Sequence, residues 1–167
     1  QLRPGGPEPQ KRPRFAATIA GLAPEQVTIT YEPGAKRAWV PSSVAATIVR
    51  VGIGIDGDPT QSYLFNAGTL LVTGLDNGAQ NRDIVFDPRP DRNLAYIVSK
   101  APQALVVARS EAAGATLSML GQIPTCRDPS RVQLAEVPAR GGTVLLAFVS
   151  CFLSRNVSVI DIDQLQG

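Results

Sequence analysis

The chain has 167 residues, about one domain's worth, and its 16 Lys+Arg against 14 Asp+Glu leave a formal net charge of +2, too near neutral for the basic footprint of a nucleic-acid binder. Histidine is absent and there are only two cysteines, which excludes Ser-His-Asp and Cys-His nucleophile arrangements, imidazole-bound zinc and Cys₄ sites; no metal or cofactor is expected. Hydrophobic residues at 44% supply a core, and Gly 15 with Pro 14 mark a chain of many turns.

Residues 1–14 are rich in Pro, Gly and charge, can bury little, and are expected to form a flexible tether. With no initiator Met and no export-signal pattern at its start, the chain reads as processed or excised. Phe15–Ala20 is a candidate outer strand. Gln26–Ser43 then reads as a hairpin, with a short apolar strand, a Pro/Gly turn and a return through Ala38-Trp39-Val40, and Ala46–Val51 follows as a third strand. Val51–Gly57 resembles a dinucleotide fingerprint, but no helix follows before the turn at Asp58-Pro59. Asp56 and Asp58 likewise lack the later acidic positions of a calcium loop, so both motifs read as turn chemistry.

The same series recurs twice. Thr69–Thr73 is an outer strand, Asp83–Lys100 a hairpin returning through Ala95-Tyr96-Ile97, and Ala104–Ala108 a third strand. Ser110–Gly114 is too short for a helix and is read as a loop. Ala115–Leu120, the hairpin Arg131–Ser150 with Ala147-Phe148-Val149, and Val157–Asp161 complete the third round. The longest apolar stretch, Val144–Leu153, is half the length of a bilayer-crossing helix and reads as a buried strand, so no transmembrane segment is expected.

The aromatics at 39, 96 and 148 recur at intervals of 57 and 52 residues. A repeat of that length made of four antiparallel strands has two apolar faces to cover, and such units stack around an axis as a β-propeller. A β-sandwich also fits short strands and frequent turns, but it has no reason to repeat one hairpin and one aromatic three times. The expected fold is therefore all-β, a propeller segment of about three four-stranded blades at residues 15–68, 69–114 and 115–167. Val27, Ile29, Ile84, Phe86, Val132 and Leu134 should be buried with Val40, Ile97 and Val149, and Trp39, Tyr96 and Phe148 should occupy equivalent sites.

The hairpin pattern Val-x-Ile/Phe-x-x-Pro followed by Ala-aromatic-Val/Ile, with the closing Val-Ser-Val-Ile-Asp-Ile-Asp at 157–163, resembles the YVTN-type β-propeller repeat of extracytoplasmic bacterial and archaeal proteins, above all its lactonase-like seven-bladed group. The resemblance covers residues 15 to 166 and implies a fragment of a larger propeller outside the cytoplasm. It implies a non-enzymatic binding or scaffold module whose partner is a protein or cell-surface polymer. The alternative is a lactonase-like hydrolase completed by blades missing from this chain. Exposed blade faces and strand edges should make the isolated chain self-associate.

In a propeller the loops leading into the first strand of each blade and those joining its second and third strands surround the mouth of the channel. Here they carry Arg82, Asp83, Lys100, Arg127, Asp128, Arg131 and Arg155, beside Ser42, Ser43, Ser99, Ser130 and Asn156. Arg forks and hydroxyls of this kind suit a small anionic ligand such as a carboxylate, phosphate or sugar acid. A hydrolase would need a carboxylate base, for which Asp83, Asp128 and Glu25 are the candidates. Cys126 and Cys151 frame the third hairpin at positions that antiparallel pairing brings close, and the resemblance to exported proteins favours a disulfide between them.

Overall fold

A computed structural model describes residues 37–54, 63–89, 91–111 and 116–166. The expected tether, the outer strand Phe15–Ala20, the first strand of the first hairpin with Val27 and Ile29, the acid Glu25, and the pair Asp56 and Asp58 lie outside the described residues.

Among the described residues, ten strands make up three successive antiparallel meanders. The first consists of β1 (Arg37–Pro41), β2 (Thr47–Gly54) and β3 (Tyr63–Thr73); the second of β4 (Asn81–Phe86), β5 (Leu94–Ser99), β6 (Ala104–Glu111) and β7 (Thr116–Pro124); the third of β8 (Pro129–Ala139), β9 (Gly142–Cys151) and β10 (Asn156–Asp161). The all-β reading holds. β6 runs two residues into the segment read as a loop, because Ser110 and Glu111 pair with Leu117 and Thr116 of β7. β3 crosses the 68/69 division drawn from sequence, since the whole of Tyr63–Thr73 pairs with or extends from β2. A 3-10 turn at Asp163–Gln166 follows β10, and no helix of the described residues is long and apolar enough to cross a membrane.

The first two meanders join into one seven-stranded sheet in the order β1-β2-β3-β7-β6-β5-β4, through a short parallel contact of Val72 with Leu117 and Thr73 with Ser118. The sheet curls until its ends meet, where Asn81 N donates to Ser42 O at 3.0 Å. The third meander is a separate sheet laid on the outside of β4 and β5.

The turns explain the register. Ala139 pairs with Gly142 across the two-residue turn Arg140-Gly141, and Gly141 has φ +96°, a backbone conformation that the missing Cβ permits. The turns from β1 to β2, from β5 to β6 and from β9 to β10 each span four residues, closed by Ser42 N on Thr47 O, by Ser99 opposite Ala104, and by Cys151 opposite Asn156. Trp39, Tyr96 and Phe148 each stand three residues before that closing position. The three aromatics therefore occupy one register.

Strand alternation assigns the two faces of the second meander to two cores. Ile84, Phe86, Ala95, Ile97, Val106 and Ala108 face the first meander and pack with Trp39, Ile48 and Val72; the Trp39 and Phe86 rings lie 5.0 Å apart. Tyr96, Val98 and Leu105 face the third meander and pack with Val132, Leu145, Ala147 and Val149. The side chains expected to be buried are so at Val40, Ile84, Phe86, Ile97, Val132 and Val149. Leu134 and Phe148 are only half-buried, Phe148 because the outward face of the third meander has nothing packed on it among the described residues.

Cys126 and Cys151 form a disulfide with their Cα atoms 5.8 Å apart, at a sequence separation of 25. It ties the loop before β8 to the end of β9. Cross-linking a loop of that length restricts the unfolded chain by about 3 kcal/mol. Reduction, or the pair Cys126→Ser and Cys151→Ser, should lower the melting temperature by roughly 10 °C for a domain of this size, as read by thermal denaturation with and without reductant.

Candidate functional site

The loops that lead into β4 and β8 and the turns after β5 and β9 lie together at one end of the meanders because backbone bonds zip them. Gln80 N donates to Ala101 O at 3.1 Å, Lys100 N to Gln80 O at 2.8 Å, and Phe152 N to Asp128 O at 3.0 Å. Ser154 Oγ adds a bond to Arg127 O at 3.3 Å. Residues far apart in sequence thereby share one rim.

At the centre of this rim stands Asp128, buried and in the left-handed region at φ 56°. Its Oδ1 receives Arg82 at 3.4 Å and Lys100 at 3.5 Å, so three of the residues picked from sequence converge, two from the second meander and one from the third. Arg127 and Arg155 flank them on the exposed surface, Arg155 in the left-handed region at φ 52°. Among the described residues the rim thus carries one carboxylate that faces two half-buried cations, with two exposed cations beside them, a net positive charge.

Two of the chosen residues have other work. Asp83 is buried, and its carboxylate accepts the Ile84 amide and the Val132 amide, each at 2.9 Å. It is a peg between the second and third meanders, and neither oxygen faces the rim as a base would have to. Arg131 stands inside β8, opposite Ser150, at the rim end of the third meander's outward face rather than in a loop. Asn81, fully buried beside Arg82, has a side-chain amide with no partner among the described residues. No cluster of three or more metal-ligating side chains occurs among the described residues.

A polar cluster at the opposite end escaped the sequence reading. Asp87, its side chain fully buried, accepts Tyr96 Oη at 2.9 Å and Arg89 Nη2 at 2.7 Å, and Arg89 reaches on to Asp163, which also takes the Leu145 amide at 3.0 Å. Burial pushes the Asp87 carboxyl up, but the bonds from Arg89 and Tyr96 outweigh it and hold the group below the usual carboxylate range. Arg89 and the Leu145 amide likewise hold Asp163 low. The signal available was Asp87-Pro88-Arg89 in a turn, where a turn-former and a charge pair look the same in sequence.

A cavity of about 520 Å³ opens beside the rim, lined by Gly74, Leu75, Asp76, Ala79, Ala101 and Met119 among others. None of its described lining residues is Lys or Arg, and Asp76 accepts the Gly78 amide at 2.7 Å, so the cavity does not extend the positive patch. Neither a family model nor a curated protein nor a solved structure matches this chain.

Proposed function

We propose that the chain is a non-enzymatic, extracytoplasmic binding or scaffold module built as a β-propeller segment, with its ligand surface at the rim of Arg82, Lys100, Arg127, Asp128 and Arg155. The observation that carries this reading is the convergence of Arg82 and Lys100 from the second meander onto Asp128 of the third, with Arg127 and Arg155 exposed at the same end. Three meanders that repeat one aromatic register and mate face to face support the propeller architecture. The disulfide supports a location where thiols are oxidised. Asp128 holds Arg82 and Lys100 in place, and the exposed Arg127 and Arg155 supply the forks that meet a carboxylate or phosphate on a protein or cell-surface polymer.

The test uses polygalacturonate, a sugar-acid polymer, as probe in a calorimetric titration at 20 and 150 mM NaCl. The double substitution Arg127→Ala with Arg155→Ala should weaken binding by roughly tenfold at low salt and flatten its salt dependence. Equal affinity of variant and parent would overturn the assignment.

A further inference from the structure

We infer that the outward face of the third meander is the surface through which two copies of this chain pair face to face. Strand alternation places Val137, Val144, Leu146, Phe148, Val157 and Val159 on that face, with Val157 55% and Val159 57% exposed. Tyr96 holds the same register in the second meander and is fully buried, because the third meander covers it. Phe148 is the same device with its cover missing among the described residues.

The charges on this face argue for a second copy as the cover. Arg131 sits opposite Ser150 on one outer strand, and Asp161 sits opposite Leu146 on the other. Phe148, on the middle strand between Ser150 and Leu146, lies midway along the Arg131–Asp161 diagonal. A twofold axis in the plane of the contact, running through Phe148 and perpendicular to that diagonal, sets each Arg131 over the partner's Asp161 and the two Phe148 rings over one another. The face is thus self-complementary, opposite in sign at opposed corners, with Phe148, Leu146 and Val159 between them and the polar Gln133 and Ser150 beside Phe148. The bond from Asp163 N to Asp161 Oδ1, at 3.0 Å, holds that carboxylate in place.

Strand spacing of about 4.8 Å and a rise of about 3.4 Å per residue put the diagonal roughly 35° from the strands. The strands of the two copies would then cross at roughly 70°, near the orthogonal class of sheet packing. At that crossing only the middles of the two three-stranded faces overlap, which buries less than about 1,000 Å² over both copies, the size of weak, transient interfaces, so association is expected only at high micromolar concentration.

Sedimentation velocity of the 167-residue chain between 1 and 500 µM tests this. A monomer–dimer equilibrium is expected, with Phe148→Lys monomeric throughout. Arg131→Glu and Asp161→Arg should each weaken the dimer at least tenfold, and their combination should restore it to within threefold. A parent that stays monomeric at 500 µM overturns the proposal. So does a dimer indifferent to Phe148→Lys, as pairing through the edge of β10 that no described strand covers would be, or a double reversal that fails to restore association. Circular dichroism of each variant separates loss of pairing from loss of fold.

Discussion

Trp39→Ala should destabilise the protein by about 4 kcal/mol, whereas Phe148→Ala, the same change in the same register, should cost about 1 kcal/mol. Trp39 is fully buried against Phe86 in the core between the first and second meanders, and nothing around it can close the space its ring would leave. Phe148 is half-buried, and the surface it would vacate is already open. Trp39→Phe adds a sharper test. The Trp39 Nε1 donor is buried with no partner among the described residues, so Phe removes an orphaned polar group along with part of the packing, and the two changes offset. Urea denaturation of the three variants should rank them Trp39→Ala far below Phe148→Ala, with Trp39→Phe within about 2 kcal/mol of the parent. Equal losses at 39 and 148 would mean that the two positions are not the covered and uncovered forms of one site.

The contrast between those residues also shows what the sequence makes legible. The recurrence of Ala-aromatic-Val/Ile revealed the β4–β5 and β8–β9 hairpins and the strands β2, β6 and β10 that follow the three aromatics, because an alternating apolar pattern bounded by turn residues is a local property of the chain. Which side of each meander would be covered is not local. Phe148 and Tyr96 look alike in sequence, and their burial differs only because a third meander exists beyond Tyr96. The same holds at the rim. Position near the strand entries sufficed to pick Arg82, Lys100 and Asp128, which do converge, although Arg82 stands at the bulge of β4 rather than in a loop. Asp83, one residue from Arg82, is turned inward by strand alternation to bind the Val132 amide, and no pattern of charges along the chain distinguishes a peg from a ligand.

The Asp87–Arg89–Asp163 cluster should make stability fall steeply in acid, and Arg89→Leu should remove that dependence. Both carboxyls have folded pKa values below the ordinary 3.8, so the stability they contribute is complete above that value and is lost as the pH falls below about 4 and through the lowered values. At neutral pH, Arg89→Leu strands the buried Asp87 carboxylate with only Tyr96 as a side-chain donor, and removes the link to Asp163. Breaking a buried pair from one side costs about 3 to 5 kcal/mol, and the partial exposure of Arg89 places this case near the lower end. Without the Arg89 side chain the Asp87 carboxyl loses its main lowering partner while its burial remains, so its pKa rises relative to the parent's and the variant loses less stability than the parent as the pH falls. The difference between the two proteins in urea denaturation should therefore be about 3 kcal/mol at pH 7 and become smaller as the pH falls towards 3. Asp87→Asn in the Arg89→Leu background should relieve most of the loss at pH 7, since the amide oxygen still accepts from Tyr96 and no charge is left buried. A difference that stayed constant from pH 7 to pH 3 would show that Arg89 acts through packing rather than through its charge.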